Sequence, residues 1–327
     1  MTHRSGFVAI LGKPNAGKST LLNALTGTKL AIVASKPQTT RTAIQGVVTL
    51  PEAQIVFVDT PGIHRSTTLL NKRMMDSVRA AAAGPDVALF LVDALAPFTE
   101  EDAEAVDLVK KIEAPVIAVF NKIDQLRDKP RLLALTEQYQ ALHDFAAYIP
   151  VSALKGQGLD VLRAEIIKRL PEGPALYPKD YLTDQPERFR AAEILREKIL
   201  RLTQQEVPHA VAVVIDSWED EGARMVDRKK SGSAGKSPMG NSKPVNPGQR
   251  PLLRILATIY VERPGQKAIL IGAGGASLKK IGTQTRLELE KLLNRKVFLQ
   301  TFVKVKPGWR QDSGFHSAVD WRGSGDE

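Results

Sequence analysis

The segment GKPNAGKS, from Gly12 to Ser19, restricts the fold of this chain more than any other feature of its sequence. It follows the apolar run FVAIL and precedes the amphipathic run STLLNAL, so it connects a buried strand to a helix. A G-x-x-x-x-G-K-S pattern in that context is typical of a loop that cradles phosphates with backbone N–H groups and a helix N-terminus. We therefore expect a phosphate-binding loop at one edge of an α/β sheet.

The residue types in this loop predict a role for its most polar positions. Lys18 is expected to neutralise charge on the β- and γ-phosphates, and the hydroxyl of Ser19 is expected to bind Mg²⁺. The nucleotide-binding residues predicted from the loop are Asn15, Ala16, Gly17, Lys18, Ser19 and Thr20.

The N-terminal half of the chain alternates strands with helices. Five apolar runs are interpreted as buried strands: FVAIL, QIVFVD, VALFLVD, PVIAVFN and AAYIPVS. Between them, helical spacing is found in KSTLLNAL, EEDAEAVDLVKKI and RLLALTEQYQALHDF. Such alternation implies βαβ units, so the predicted fold class is α/β, with a mostly parallel sheet covered by helices on both faces.

A second motif indicates which nucleotide the loop would hold. The segment NKID, Asn121 to Asp124, follows a buried strand and is expected at the carboxyl edge of the sheet, where ligands bind. The Asp124 carboxylate can accept hydrogen bonds from the ring N–H and the exocyclic amine of guanine, whereas adenine presents a lone pair there. Lys122 is expected to lay its stem along the base, and backbone N–H groups of SALKG to meet the guanine oxygen. The residues predicted for the base are Asn121, Lys122, Asp124, Ser152, Ala153 and Leu154.

The segment DTPG, Asp59 to Gly62, also follows a buried strand and predicts a sensor for the γ-phosphate. Asp59 is expected to hold Mg²⁺ through water, and the N–H of Gly62 to reach the γ-phosphate, a contact that only a triphosphate offers. Thr40, in PQTTRTAIQG, is the predicted second hydroxyl at the metal, with Thr39 as the rival assignment. The catalytic residues expected from these motifs are Lys18, Thr40 and Gly62.

Together these elements, in this order, are typical of a GTPase of the translation-factor type. The residue after DTPG is Ile63, where Ras-like proteins place a glutamine that orients the attacking water. Isoleucine has no polar atom. The sequence therefore predicts either slow hydrolysis of GTP to GDP and phosphate, or help from another group.

The C-terminal half carries most of the positive charge. Residues 1–175 hold 20 Lys and Arg against 18 Asp and Glu, and the whole chain holds 46 against 36, with a net charge of +10. The remainder thus has 26 against 18, which favours a polyanionic partner, although a solvated basic surface would have the same composition. The chain has no cysteine, so cysteine-ligated metals are excluded, and no apolar run is long enough for a membrane span.

A second glycine loop, IGAGGASLKKIG, lies in this basic half. The elements predicted around it follow the order α-β-β-α-α-β, with antiparallel pairing of the first two strands, AVAVVIDSWED and LLRILATIYVER. A G-x-x-G between helices in that order is typical of a type II KH domain, although a plain helix–turn–helix joint would look similar. A dinucleotide fingerprint is excluded, because it requires glycine where Ser277 stands. The RNA-binding residues predicted here are Ile271, Gly272, Ala273, Gly274, Gly275, Lys279 and Lys280.

As a set, these motifs resemble those of the Era family of bacterial GTPases. The matching segments are GKPNAGKST, PQTTR, DTPGIH, NKID, VSALKG, IGAGGASLKKIG and VKVKPGW, from about Gly6 to Trp309. The resemblance implies a GTPase domain that binds GTP or GDP with Mg²⁺, followed by a KH domain. It implies binding of small-subunit ribosomal RNA near its 3′ end and a role in maturation of the small ribosomal subunit. It also implies a cytoplasmic monomer with peripheral association at the inner face of the cell membrane, although the sequence shows no anchor.

The resemblance also implies a role for K⁺, and this sequence differs from the family pattern at two places. In related GTPases that share the PNAGKS loop, an asparagine at the place of Asn15 helps to bind K⁺ where an arginine finger would stand. K⁺-stimulated hydrolysis is therefore expected, with a purely structural role for Asn15 in the turn as the alternative. The Ala-Gly inside GxxG lacks the lysine often found there, and a basic segment between the two KH strands is longer than expected.

The expected domain bounds are 1–172 for the GTPase domain, 173–186 for a linker and 187–310 for the KH domain. The basic insertion at about 221–250 is expected to be mobile and either to touch nucleic acid or to act as a spacer. Residues 311–327 are expected to form a disordered tail. The alternative functions are a GTPase that acts with a tRNA-modification partner, or an RNA-binding module with a weak GTPase.

Overall fold

The computed structural model describes residues 2–36, 38–63, 68–128, 130–203, 207, 210–220 and 252–319, with the backbone alone for 317–319. The insertion expected at 221–250 lies outside the described residues. The chain divides into two compact units, Met1–Gln185 and Pro186–Glu327. Within the described ranges, no helix combines the length and apolar character needed to cross a membrane.

The first unit is a six-stranded sheet with helices on both faces. Its strands are β1 (Arg4–Gly12), β2 (Ile44–Thr49), β3 (Ala53–Asp59), β4 (Val87–Asp93), β5 (Val116–Asn121) and β6 (Ala147–Pro150). Its helices are α1 (Lys18–Thr26), α2 (Leu69–Ala82), α3 (Glu100–Val109), α4 (Pro130–Gln140) and α5 (Leu159–Arg169). The strand order is β2-β3-β1-β4-β5-β6, and every pair is parallel except β2 with β3. The prediction of an α/β fold with a mostly parallel sheet is confirmed.

The strands are continuous apolar runs because both faces of this sheet are buried. On β4, Val87, Leu89 and Leu91 face a core that contains side chains of α1 and α5. The alternate residues Ala88 and Phe90 face a second core with side chains of α2, α3 and α4. Because successive side chains of a strand point to opposite faces, one strand contributes to both hydrophobic cores.

Sequence reasoning missed the edge strand β2 and the helices α2 and α5. β2 is half-buried and contains Gly46, which weakens a strand signal. α2 alternates its apolar residues with charged and polar ones, although Leu70, Met74 and Val78 form a buried stripe at helical spacing. None of the three elements presents the long apolar run by which the central strands were recognised.

The parallel register brings the predicted motifs to one edge of the sheet. Ile10 of β1 pairs with Asp59 at the end of β3, and Asp93 at the end of β4 pairs with Asn121 at the end of β5. The loops that follow β1, β3 and β5 therefore emerge together at the carboxyl edge, where α/β sheets of this type bind ligands.

The segment expected to be a linker lies against the first unit. The buried side chain of Gln54 accepts hydrogen bonds from the backbone N–H groups of Leu176 and Tyr177, at 2.7 and 2.8 Å. The backbone N–H of Val47 on β2 donates to the carbonyl of Leu182 at 2.8 Å. These contacts explain why the division between the units falls after Gln185.

The second unit has the predicted order α-β-β-α-α-β. It consists of α6 (Glu187–Leu202), β7 (Ala212–Asp220), β8 (Leu253–Val261), α7 (Pro264–Ile271), α8 (Ala276–Leu293) and β9 (Val297–Val305), with α9 (Ser313–Val319) after them. β7 pairs antiparallel with β8, as expected, and β8 pairs parallel with β9. Its core is formed by apolar side chains of α6, α7, α8 and the sheet. The arrangement is that of a type II KH domain.

The expectation of a disordered tail from residue 311 is corrected for its first part. Trp309 is buried, and its indole N–H donates to the carbonyl of Ala210 at 3.2 Å. The ring of Phe315, on α9, lies 5.7 Å from that of Trp309 and 4.9 Å from that of Tyr260. Aromatic packing therefore orders residues that show no periodicity in the sequence.

Candidate functional site

The GKPNAGKS loop turns sharply between β1 and α1. Gly12, Asn15 and Gly17 have φ angles of 144°, 63° and 98°, a region that glycine enters at little cost and asparagine tolerates. Gly17 is also the N-cap of α1, so the first turn of that helix directs its free N–H groups into the loop. The loop thus has the backbone conformation of an anion cradle.

The ammonium group of Lys18 lies inside this loop. Its Nζ donates hydrogen bonds to the carbonyls of Gly12 and Lys13, both at 2.9 Å. Burial lowers the pKa of Lys18 to about 8, an effect that the nearby carboxylate of Asp59 opposes. A buried cation held by neutral carbonyls is well placed to bind an anion that enters the loop.

Two hydroxyls and one carboxylate meet beside the loop. The hydroxyl of Ser19 donates to Asp59 Oδ2 at 2.7 Å, and its oxygen lies 2.7 Å from Thr40 Oγ1. Thr40 Oγ1 lies 3.5 Å from the same carboxylate oxygen. The hydroxyl of Thr39 donates instead to the carbonyl of Lys36 at 2.6 Å. The structure therefore places Thr40 at this cluster and Thr39 away from it.

Burial disfavours the charged form of the Asp59 carboxylate in this cluster. Burial raises the pKa of Asp59 to about 6, against the opposing effects of Lys18 and of hydrogen bonds from Ser19, Thr40 and the backbone of Thr60. Its other oxygen, Oδ1, is buried without a hydrogen-bond partner among the described residues. Hydroxyl and carboxylate oxygens are the ligands that Mg²⁺ prefers, and a divalent cation would stabilise this buried charge. The three residues therefore fit a magnesium site.

Asn121, at the end of β5, joins the base-side motif to the phosphate loop. Its Nδ2 donates to the carbonyl of Ala16 at 2.8 Å, and its Oδ1 accepts from the backbone N–H of Ala153 at 3.0 Å. A Cβ atom at Gly17 would lie 2.3 Å from the same Nδ2. The close approach of these two segments thus excludes any side chain at position 17.

The other polar residues of NKID are fixed by partners from distant parts of the chain. The hydroxyl of Ser152 donates to Asp124 Oδ1 at 2.6 Å, which fixes the orientation of that carboxylate. Lys122 Nζ donates to Asp93 Oδ2 at 2.7 Å, so its ammonium is anchored at the end of β4. Sequence reasoning missed Asp93, which follows a strand but belongs to no recognised motif.

One cavity of about 550 Å³ connects the phosphate loop with the NKID segment. The predicted residues that line it are Asn15, Gly17, Lys18, Ser19, Thr20, Thr40, Gly62, Asn121, Lys122, Asp124 and Leu154. Four further predicted residues, Ala16, Asp59, Ser152 and Ala153, are buried behind this wall and support it through the hydrogen bonds described above. Residues 32–36 and Gln38 form a wall that was not predicted, and Thr39, the rival candidate for the metal, lines the cavity beside them. These residues could have been predicted to lie near the nucleotide, because they connect α1 to Thr40.

The DTPG segment packs directly against the phosphate loop. A Cβ atom at Gly62 would lie 2.8 Å from three atoms of Pro14, so the two backbones touch. The N–H of Ile63 donates to the carbonyl of Gly12 at 3.1 Å, and its side chain packs against the core on the α2 and α3 face. Ile63 therefore has a packing role and presents no polar atom to the cavity.

The GAGG loop joins α7 to α8 in the second unit. Gly272, Gly274 and Gly275 have φ angles of 72°, 58° and 81°, and a Cβ at Gly272 would lie 2.8 Å from Ser277 Cβ. Glycine is thus required at Gly272 by both conformation and space. Ala273 and Gly274, the two residues inside GxxG, are exposed.

A groove of about 330 Å³ runs from this loop along α8 and the edge strand β9. It is lined by Gly275, Leu278, Lys279, Gly282, Thr283, Arg286, Leu299 and Thr301. Of the residues predicted to bind RNA, the groove contains Gly275 and Lys279, whereas Lys280 is exposed outside its lining. Thr283 and Arg286 were missed, although they follow Lys279 at helical spacing. Nothing in the sequence indicated that Leu299 and Thr301, on β9, would line this groove.

Comparison with known proteins identifies both domains. Residues 7–122 match the family model described as 50S ribosome-binding GTPase, and residues 249–310 match the KH domain model. GTPase Era of Geobacter metallireducens is 46% identical over 309 residues, which cover 94% of this chain and 95% of that protein. GTPase Era of Ruminiclostridium cellulolyticum is 41% identical and covers 98% of this chain and 99% of its own.

Two solved structures are similar to the whole chain. A crystal structure of Era in complex with MgGDPNP and nucleotides 1506–1542 of 16S ribosomal RNA has a TM-score of 0.86 and 39% identity, and covers 97% of this chain and 98% of that one. An Aquifex aeolicus Era variant bound to GDP and AlF4⁻ has a TM-score of 0.86 and 40% identity, with the same coverage. Because these similarities extend over both domains, this chain belongs to the Era family of GTPases.

Proposed function

We propose that the chain is a GTP-binding and GTP-hydrolysing switch that binds small-subunit ribosomal RNA through its KH domain and acts in maturation of the small ribosomal subunit. The observation that carries the nucleotide part of this proposal is one cavity in which Lys18 and the Ser19 and Thr40 hydroxyls lie at one end and Asp124 at the other. Those groups match the phosphate, metal and guanine parts of one nucleotide.

At the phosphate end, Lys18 keeps its hydrogen bonds to the carbonyls of Gly12 and Lys13 and directs its third N–H to the phosphate oxygens. Ser19, Thr40 and Asp59 would hold Mg²⁺, with Asp59 acting through water, and the metal would neutralise charge on the phosphates. Gly62 contributes its backbone N–H to the γ-phosphate. Because loss of that phosphate removes the partner of the Gly62 N–H, the DTPG segment changes its contacts on hydrolysis.

At the base end, Asp124 selects guanine. Ser152 occupies one oxygen of its carboxylate and holds the plane of the group toward the cavity. The carboxylate accepts the two N–H groups of guanine, while Lys122, anchored on Asp93, covers the base with its methylene stem. An adenine would leave the carboxylate opposed to a lone pair.

Hydrolysis is proposed to be slow in the isolated protein. Ile63 packs into the core, so no side chain at that position orients water. Asn15, which lines the cavity at the phosphate end, is proposed as a ligand of K⁺. A cation there would supply the charge that an arginine finger supplies in other GTPases.

The GAGG loop and the adjoining groove are proposed to hold single-stranded RNA. The loop has no side chain larger than a methyl group, so its backbone and the start of α8 can approach phosphates closely. Lys279 and Arg286 line the groove, and the similar Era structure contains a fragment of 16S ribosomal RNA. We propose that this chain binds the 3′ region of the same RNA.

The place of action is inferred from the family. We propose a cytoplasmic monomer with peripheral association at the inner face of the cell membrane. Fractionation of cells, with and without a salt wash of the membranes, tests this location. Protein that stays in the soluble fraction at low salt would contradict the membrane association.

The test of the main function is ultraviolet crosslinking, followed by sequencing of the bound RNA in the GTP and GDP states. Enrichment of the 3′ end of small-subunit ribosomal RNA, with different yield in the two states, is expected. Enrichment of transfer RNA would favour a GTPase that acts in tRNA modification, and absence of any enriched RNA would contradict the ribosomal function.

A further inference from the structure

Lys13, which follows the first glycine of the phosphate loop, forms side-chain hydrogen bonds with residues at the start of α3. Its Nζ donates to Asp102 Oδ2 at 2.8 Å and to Thr99 Oγ1 at 3.1 Å. The Lys13 side chain is 21% exposed and that of Asp102 is 10% exposed. This contact joins residues 89 positions apart and has no part in the nucleotide-binding roles described above.

Asp102 is a fixed anion with several donors. It accepts hydrogen bonds from the backbone N–H of Thr99 at 2.9 Å, from the Thr99 hydroxyl at 2.7 Å and from the hydroxyl of Tyr139 at 2.8 Å. Burial alone would raise the pKa of Asp102, but hydrogen bonds from Lys13, Thr99 and Tyr139 lower it below its usual value. The carboxylate therefore stays charged and holds one orientation.

The backbone at Lys13 and Pro14 contacts Lys18 and Gly62, the two residues assigned above to the γ-phosphate. The carbonyl of Lys13 accepts one of the two hydrogen bonds of Lys18 Nζ, at 2.9 Å. The next residue, Pro14, touches Gly62, since a Cβ there would come within 2.8 Å of Pro14 backbone and ring atoms. A shift of the Lys13–Pro14 backbone would thus displace Lys18 and Gly62 together.

We propose that Lys13 is a positioning residue: its ion pair with Asp102 holds the Lys13–Pro14 backbone so that Lys18 and Gly62 are placed for the γ-phosphate. This inference rests on the proposed GTPase function. Exposed ion pairs contribute little, but this pair is largely shielded from water and its acceptor is already oriented by three other hydrogen bonds. Its effect should therefore fall on triphosphate binding more than on folding.

The first test measures the affinities of the full chain for GDP and for a non-hydrolysable GTP analogue, with Mg²⁺, by fluorescence titration. Lys13→Met should weaken binding of the GTP analogue about tenfold to a hundredfold, the range expected for loss of one charge-assisted hydrogen bond. Binding of GDP should weaken by a clearly smaller factor, because GDP keeps the β-phosphate that Lys18 also faces but lacks the γ-phosphate. Lys13→Arg, which keeps the charge and reach, should restore the ratio. Lys110→Met is the matched control, because Lys110, at the end of α3, forms an exposed ion pair with Asp107 of that helix. This variant should leave both affinities unchanged.

The second test is a double-mutant cycle of Lys13→Met with Asp102→Asn, measured on the same two affinities. If the pair acts as proposed, the double variant loses no more GTP-analogue affinity than Lys13→Met alone. Additive losses, or equal weakening of GDP and the GTP analogue by Lys13→Met, would show a merely structural contact and overturn the inference. Failure of the unmodified chain to bind either nucleotide would overturn the proposed function itself, so the two failures are distinguishable.

Discussion

The side-chain amide of Asn121 donates a hydrogen bond to the backbone carbonyl of Ala16 at 2.8 Å. The same amide accepts from the backbone N–H of Ala153 at 3.0 Å, so one buried side chain connects three separate loops. The base-recognition segment and the phosphate loop are therefore parts of one hydrogen-bonded unit.

Asn121→Ala should destabilise this unit even without ligand. The change leaves a buried carbonyl and a buried N–H without partners, and we expect a loss of about 2–4 kcal/mol in the free energy of unfolding. Urea denaturation of the nucleotide-free protein measures this loss. Gln140→Ala, at the exposed end of α4, is the control and should change stability by less than about 0.5 kcal/mol. Equal stability of the two variants would contradict a structural role for the amide.

Asp124→Asn should change the base that is bound. An asparagine keeps the oxygen that accepts from Ser152, but its NH₂ group faces the guanine amine, donor against donor. Affinity for GDP should fall by roughly three orders of magnitude or more. Affinity for xanthosine diphosphate, which has a carbonyl in place of that amine, should rise above that for GDP. Competition titrations with both nucleotides check the reversal; an unchanged preference for guanine would show that Asp124 does not contact the base.

The raised pKa of Asp59 predicts a pH dependence of stability in the nucleotide-free and metal-free protein. The folded state keeps the Asp59 proton up to a pKa of about 6, whereas the unfolded chain loses it near 3.8, the ordinary pKa of an aspartate. The contribution of Asp59 to stability is therefore full below that lower value and is lost as pH rises through about 6. Relative to Asp59→Asn, the unmodified protein should lose up to about 3 kcal/mol across this window.

This difference is measured by denaturant unfolding of both proteins at a series of pH values. Addition of Mg²⁺ and GDP should stabilise the unmodified protein more than the variant at neutral pH, because the metal stabilises the charged carboxylate. A pH-independent difference between the two proteins would contradict the buried, partly unpaired state of Asp59.

Potassium should accelerate GTP turnover if Asn15 binds it. At matched ionic strength, the unmodified protein is expected to hydrolyse GTP faster in K⁺ than in Na⁺. Asn15→Gly preserves the positive φ angle of 63° but removes the amide, so it separates a ligand from a turn residue. Turnover of this variant in K⁺ should fall to the level in Na⁺. Equal turnover of the unmodified protein in the two salts would exclude the K⁺ hypothesis.

Lys279→Ala should weaken RNA binding through the loss of one phosphate contact. Lys279 lines the groove beside the GAGG loop, whereas Lys291 is exposed near the other end of the same helix. The affinity for a single-stranded RNA fragment should fall several-fold, and the slope of log affinity against log salt should decrease by roughly 0.7. Lys291→Ala is the control and should change neither quantity. Identical behaviour of the two variants would place the RNA elsewhere.

The loop motifs of this protein could be recognised from the sequence because each is local. The glycines at positive φ, the lysine and serine of the phosphate loop, and the residues of NKID lie within eight or fewer positions of one another. Their meeting at one edge also followed from the sequence, because parallel strands connected by helices end on the same side of a sheet.

The partners of those residues could not be recognised, because each comes from a distant part of the chain. Lys122 pairs with Asp93, and Lys13 pairs with Asp102, through contacts that depend on how α3 and β4 pack in three dimensions. The choice between Thr39 and Thr40 also depended on packing, since both residues have the same hydroxyl and adjacent positions.

The sequence by itself determined the class of nucleotide site, the order of the two domains and the glycine loop of the KH domain. The tertiary structure decided which Thr approaches Asp59, how residues 173–185 attach to the first unit, and which side chains of β9 complete the RNA groove. Backbone conformation and short-range patterns are encoded over a few neighbouring residues. A hydrogen bond or groove wall formed across tens of residues exists only after the hydrophobic layers have fixed the distances between elements.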